Sequence, residues 1–541
     1  MATSTNELTG AQAPVQRAGR REWVGLAVIA LPCLLYSMDL TVLNLAVPSL
    51  TADLQPSGTQ LLWIVDVYGF FVAGSLITMG ALGDRIGRRR LLLIGATAFG
   101  AVSVLAAFAP NAETLIVARA ALGVAGATLA PSTLSLLRTM FHDPHQRTFA
   151  IGVWIASFSA GAALGPVLGG VLLDRFWWGS VFLLAVPVMA LLLVVGPVLL
   201  PESREPNPGR LDLVSAGLSL TAVILSIYGI KELAQGGLDE RSVGALVAGV
   251  LVGVLFVRRQ RTLDDPFLDL SLLRRRAFRA ALSINTFSFI GIAGAFVFVS
   301  QYLQLVAGLS PLQAGLWGLP SAMAFVTGSL AAPRIVRRFR PATVVTVSLA
   351  LASVGFAMLT RTDGRGIGAL VAGSVVFALA LTPVITLSTD LIVSTAPAER
   401  AGAAAAMSET SIEFGGALGI AVLGSIGTAV YRTGLADSMP TGVPSGAVDE
   451  AHETLAGALN AAADLPSRFA GPLVEAARGA FTDGMHVAVA IGALVTLVMS
   501  IVAAFALRDV QLDEPAAAEP ELSTTGSGFD SQPACAGAVG S

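Results

Sequence analysis

The sequence predicts an all-α polytopic membrane protein: fourteen transmembrane helices, as two six-helix bundles plus two linking helices. Three observations carry this. Of 541 residues, 54% are hydrophobic and only 13% charged, where soluble domains carry about 25% charge. Apolar runs of about 20 residues, enough to cross a hydrocarbon core, recur along the whole chain. Charge gathers between them, above all in Gly80-Ala-Leu-Gly-Asp-Arg-Ile-Gly-Arg-Arg-Arg90.

A polar N-terminus, 1–22, leads without a cleavable signal into a first bundle, 23–200. Its spans 1–6 fall near 23–49, 60–82, 91–108, 112–137, 148–173 and 179–200. Region 201–279 holds two linking helices, spans 7 and 8 near 211–232 and 241–257, between a Pro/Glu-rich break at 201–209 and a basic loop at 258–279. The second bundle, 280–507, holds spans 9–14 near 280–305, 312–333, 342–360, 366–394, 402–431 and 483–507. Within it the long loop 432–482 shows amphipathic spacing at Val448–Ala463 and Gly471–Phe481, which predicts a helical hairpin over the outer mouth. The tail 508–541 is acidic, then Ser/Gly/Ala-rich, the composition of a disordered segment. Residues 332–340 echo the 80–90 turn without its aspartate, a sign of internal duplication.

Orientation follows from the basic residues. With the 80–90 turn inside, inner segments hold about three times the Lys and Arg of outer ones, which puts both termini in the cytoplasm. The basic set is all arginine apart from Lys231, which together with the Ala and Gly excess fits a GC-rich bacterial genome and a bacterial cytoplasmic membrane. The net charge of −3 is partitioned by loop and points to no nucleic-acid partner. Cys33 and Cys535 suggest no disulfide framework. A phosphate-binding loop needs Gly-Lys, yet the one lysine stands in Lys231-Glu232, and neither a nucleophile-elbow nor a zinc pattern is present. The expectation is no cofactor, no metal and no enzyme, with ion gradients as the energy source.

Four constellations carry chemistry. In the turn, Gly80, Gly83 and Gly87 permit close approach and sharp reversal, Asp84 can accept hydrogen bonds from a helix N-terminus, and Arg85 and Arg88 hold the face. In span 5, Gly161, Gly165 and Gly169 recur every four residues as one smooth face, with Pro166 bending the helix and Gly170 completing Gly-Pro-x-x-Gly-Gly. Intramembrane charges cost about 2.5–3.5 kcal/mol each, so each needs a partner or a task. Asp39 of span 1, Asp66 of span 2 and Arg119 of span 4 fall at comparable depth and could form one ionic cluster that switches with protonation; a static salt bridge, or a solvated Asp66, is the alternative. Glu409 and Glu413 of span 13 share a helix face, with Gly415 and Gly419 roughly opposite. Such a pair would share a proton and suit an organic cation. Asp390, near the inner end of span 12, reads as interfacial.

The 80–89 stretch, Gly-x-Leu-x-Asp-Arg-x-Gly-Arg-Arg, resembles the signature loop between helices 2 and 3 of the major facilitator superfamily. The span 5 motif is similar to that of the superfamily's antiporters. Met38–Pro48 and Leu115–Gly126 resemble the helix 1 and helix 4 motifs of its fourteen-span drug:proton antiporters, the quaternary-ammonium and dye efflux type. The resemblance implies alternating access by rocking of the bundles, proton coupling through Asp39, Arg119 and Asp66, and cation recognition or coupling at Glu413 and Glu409. It also implies export of amphipathic cationic drugs in exchange for protons, by a monomer in the lipid bilayer. Two other readings stay open: a dedicated exporter of one secondary metabolite, and a membrane protein that binds hydrophobic ligands or lipids without transport.

Overall fold

The computed structural model describes residues 17–508 apart from 57, 205–211, 237–238, 264–265, 267–269, 363–366 and 398–399. The expected disordered tail and most of the N-terminus lie outside these residues. Among the described residues, fourteen helices are long and apolar enough to cross a membrane. Spans 1–6 are Arg20–Leu43, Trp63–Ile86, Arg88–Ala107, Ala112–Met140, Pro144–Arg175 and Ser180–Leu199; spans 7 and 8 are Leu213–Ile230 and Glu240–Gln260. Spans 9–14 are Arg276–Val306, Gln313–Val336, Pro341–Leu359, Gly368–Thr395, Ala401–Ser438 and Ser467–Ala506.

Local chemistry sets several starts. Asn111 accepts from the Thr114 N–H at the head of span 4. Asp143 accepts from the Gln146 N–H, and Pro144 then occupies a first-turn position that needs no donor. Ser310 and Gln313 form a reciprocal capping box before span 10.

One buried cluster draws on spans 1–6 and is joined by Ile385, Val393, Ala401 and Ala405 of spans 12 and 13. A second is built within spans 9–14. Each bundle therefore has its own core, and the two cores meet where spans 12 and 13 reach the 80–90 turn, a side called here the turn face. Spans 7 and 8 lie outside both. Span 8 exposes Val247, Val250, Leu251, Val254 and Leu255, an apolar surface suited to lipid.

At their turn-face ends spans 7 and 8 are stitched together. Arg259 donates to both Asp212 oxygens at 2.7 and 3.0 Å. Ser215 Oγ donates to Asp212 at 2.7 Å and accepts from Gln260 at 2.8 Å. The Arg259 hydrogen bond, helped by Ser215, holds the Asp212 carboxyl well below the usual aspartate range.

The long loop departs from the expected hairpin. Span 13 continues to Ser438, and the helix of span 14 begins at Ser467, so Gly471–Phe481 is its first part. Between them stand two short helices, Ser445–Glu453 and Leu455–Ala463. The apolar spacing read as a separate arm is the face on which span 14 packs: Leu473, Ala477, Ala480 and Phe481 are buried. Tyr431 Oη donates to the Ala451 carbonyl at 2.7 Å, and Arg478 Nε to that of Leu305 at 3.0 Å, tying the cap down.

Candidate functional site

The 80–90 turn is built around two buried charges. Arg88, 1% exposed, pairs with Asp84 one helical turn earlier at 3.0 Å. Asp84 also accepts from the backbone N–H groups of Gly402 at 3.0 Å and Ala403 at 2.9 Å, at the positive N-terminal end of span 13. Gly80 lets that end approach: a Cβ there would stand 2.7 Å from the Gly402 carbonyl oxygen. Gly83 faces Leu91, and Gly87 takes φ +105°, which a side chain would resist. Arg85 is buried beside them. The turn thus joins a bundle of one half to a helix end of the other.

Two further bridges lie on the same face. Arg147 pairs with Asp390 at 2.7 Å, and Thr148 Oγ1 donates to the other Asp390 oxygen at 2.6 Å. Asp390 has no exposed surface, so the interfacial reading is corrected: span 5 covers it with a cation and a hydroxyl. Arg138, at the end of span 4, donates to the carbonyls of Val393 at 2.7 Å and Ala396 at 2.5 Å, the negative end of span 12. Nothing in the local sequence marks Asp390 and Arg147 as partners, because they are 243 residues apart.

The span 5 glycines serve a contact with span 1. A Cβ on Gly161 would strike the Leu34 carbonyl, and one on Gly165 would meet Thr41 and stand 3.2 Å from the Met38 carbonyl. Gly169 is buried, whereas a Cβ on Gly170 would meet nothing within 4 Å, and Pro166 lies within the unbroken helix. Gly152 instead approaches span 10, where Ser329 Oγ donates to its carbonyl at 2.6 Å.

Span 1, held by those glycines, brings Asp39 against Arg119 at 2.5 Å. Arg119 is 1% exposed; its Nε donates to the Ile64 carbonyl at 3.1 Å, and its guanidinium lies 4.6 Å from the Tyr68 ring centre. Asp66, half-buried, sits on the same turn of span 2 as Ile64. The structure therefore joins Asp39 and Arg119 directly, while Asp66, two residues from Ile64 and so on roughly the opposite face of span 2, is not shown to join them.

In span 13 the glycines and acids divide as their spacing implies. Gly415 and Gly419 lie against the Thr286 and Ile290 carbonyls of span 9. Glu413 turns to the other bundle, where Tyr36 Oη donates to it at 3.0 Å. Glu409 is buried, and its Oε1 finds no protein donor. In the facing N-terminal bundle Cys33 lies within 3.5 Å of Thr133, to which Trp154 donates at 2.9 Å. Tyr36 also meets Phe158 edge-on, and Phe158 meets Trp154 likewise. Glu413 is thus faced by an aromatic wall across the bundle interface. Tyr36 escaped the sequence reading, although it stands one turn before Asp39 on span 1 and so on the same helix face. It lies between the Asp39–Arg119 pair and Glu413.

Comparison with known proteins agrees with this architecture. The family model described as Major Facilitator Superfamily matches residues 29–420. The chain is 46% identical over 493 residues to "Multidrug efflux pump LfrA" of Mycolicibacterium smegmatis, covering 91% of this chain and 97% of that one. It is 34% identical to "Methyl viologen resistance protein SmvA" of Salmonella typhimurium, covering 91% and 99%. It is also 34% identical to the "Tetracenomycin C resistance and export protein" of Streptomyces glaucescens, covering 96% and 98%. In fold it is similar to the crystal structure of the human organic anion transporter MFSD10, with TM-score 0.59 at 16% identity, over 91% of this chain and 100% of that one. The chain belongs to the major facilitator superfamily: it is a fourteen-span membrane transporter, not an enzyme.

Proposed function

We propose that this transporter is a proton-coupled antiporter that exports amphipathic, cationic drugs and dyes by alternating access. The observation that carries the reading is the contact between Glu413 of one bundle and Tyr36 of the other, beside the buried Glu409 and one turn from the Asp39–Arg119 pair. A carboxylate pair facing aromatic rings attracts an organic cation by charge and by ring quadrupole. Protonating that pair removes the attraction, so protons and cation compete for one site. Asp39, paired with Arg119, forms the second proton site, on the span that carries Tyr36, with Asp66 of span 2 as its further candidate member. Rocking of the bundles breaks and remakes the Tyr36–Glu413 bond, which links occupancy of the acids to access.

The energetics suffice. A membrane potential supplies about 2.3 kcal/mol per charge per 100 mV, and each tenfold concentration ratio requires about 1.4 kcal/mol. One or two protons therefore sustain a hundredfold gradient. The relative named for multidrug efflux supports drug export, and the one named for resistance to methyl viologen, a dication, supports a cationic substrate. The relative named for tetracenomycin C resistance and export, matched over nearly its whole length, favours a second reading, a dedicated exporter of one secondary metabolite.

Ethidium efflux from energised cells or inverted vesicles tests the first reading, comparing wild type with Glu413→Gln, Asp39→Asn and Tyr36→Phe, with and without an uncoupler. The expected result is uncoupler-sensitive efflux that is abolished in the two acid variants at normal expression. Tyr36→Phe keeps the ring and removes one hydrogen bond to a charged group, worth about 1.5–3 kcal/mol, so efflux falls roughly tenfold or more. Ethidium that does not move transfers the case to the dedicated exporter; ethidium that moves equally in all variants overturns the roles given to Glu413, Asp39 and Tyr36.

A further inference from the structure

The linking helices enclose a groove that the transport cycle above does not use. It opens between spans 2, 7 and 8 near the turn face, with a volume of about 580 Å³. Its wall is apolar, built from Ile77 of span 2, Ala222 and Val223 of span 7, and Val250, Val254 and Val257 of span 8. Two features are not apolar. Ser219 lines the groove, is 1% exposed, and its Oγ has no hydrogen-bond partner. At the turn-face end stand the exposed side chains of Arg258 and Arg261. Arg259 between them is already committed to Asp212, so these two present their charge to the groove mouth.

We propose that this groove seats one anionic phospholipid from the leaflet on the turn face. An acyl chain lies along the valines, the phosphate sits between Arg258 and Arg261, and an ester or glycerol oxygen meets Ser219. Charge complementarity selects this occupant. An organic cation would meet two arginines at the entrance, and a zwitterionic lipid would bring its own cation to the same place. The position fits as well: Val250 to Arg261 spans about 16 Å at 1.5 Å per residue, the depth of one leaflet's acyl region. Basic pockets between helices at the cytoplasmic surface bind anionic headgroups in the same way. Bound there, the lipid fills the gap between the peripheral helix pair and span 2, whose turn-face end leads into the 80–90 turn.

The test uses the full-length protein, purified and delipidated, then titrated with phosphatidylglycerol or phosphatidylethanolamine and read by native mass spectrometry. Wild type should retain one phosphatidylglycerol in preference to phosphatidylethanolamine. In Arg258→Gln/Arg261→Gln its retention should fall about thirtyfold, the effect of losing two interfacial arginines. A second variant, Gly253→Leu, fills the groove and leaves both arginines in place. Gly253 lines the groove, and a Cβ there would stand 3.9 Å from its nearest neighbour, the Ala222 Cβ, so the helix itself is undisturbed. This variant should lose retention equally, with an unchanged melting temperature. Equal retention of both lipids by wild type overturns the proposal. So does full retention by Gly253→Leu, since that outcome means surface charge attraction without a seated lipid.

Discussion

At the scale of single residues, identical types in one motif have unequal roles, and space decides which matter. Gly161 and Gly170 both belong to the span 5 glycine pattern. A methyl group on Gly161 would overlap the Leu34 carbonyl, whereas one on Gly170 meets nothing within 4 Å. Gly161→Ala should therefore push span 1 away from span 5 and displace Asp39 from Arg119, with efflux falling roughly thirtyfold, since overpacking costs about 1–3 kcal/mol. Gly170→Ala should transport as wild type. Measured side by side at matched expression, equal loss in both variants would sink the packing account. Arg119 shows the same dependence on surroundings. Its charge needs Asp39, and its geometry also needs the Ile64 carbonyl and the Tyr68 ring, a combination that a lysine cannot reproduce.

At the scale of elements, the linking pair owes part of its cohesion to a surface ion pair. Arg259 holds the Asp212 carboxyl below its ordinary range, so the folded form binds fewer protons than the unfolded one. Stability from this pair is present above about pH 4, the unfolded aspartate value, and is lost as pH falls through the depressed folded value. The pair is half-buried at the end of the helices, with the Arg259 side chain 37% exposed, and the effect is correspondingly small. Asp212→Asn should lower the melting temperature at pH 7 by about 1–2 degrees, with no change in the difference between pH 8 and pH 5 and a narrowing below pH 4. A difference that persists undiminished at the lowest pH would assign it to shape rather than charge. Span 13 is organised on another principle. Its glycines dock on span 9 and Glu413 faces span 1, so one helix divides its circumference between packing and chemistry.

At the scale of the whole molecule, the turn face is closed by three charge-based bridges between bundles. Asp84 caps the N-terminal end of span 13, Arg138 the C-terminal end of span 12, and Arg147 neutralises Asp390. All three must part if that face is to open. Removing one member of a buried pair costs about 3–5 kcal/mol, because the other is left uncompensated. Arg147→Gln should therefore shift the population toward the state open on the turn face. Cys33 is fully buried on span 1, one turn before Tyr36, and reports this. In a Cys535→Ser background its reaction with a permeant thiol reagent should quicken at least tenfold on Arg147→Gln. An unchanged rate would mean that the pair braces the fold without gating it.

Much was legible in the sequence because the bilayer imposes it. A hydrocarbon core accepts only long apolar helices and expels charge to the turns, so fourteen spans and the special character of 80–90 follow from composition and spacing alone. The facing of Glu409 and Glu413 away from Gly415 and Gly419 follows from helical period. Partnership between distant residues does not. That Tyr36 meets Glu413, that Asp390 is enclosed by Arg147 and Thr148, and that Gly161 matters where Gly170 has room were decided by tertiary packing. Each depends on how the two bundles, or two helices within one, rotate against each other, and a one-dimensional pattern carries the period of a helix but not the neighbour it faces.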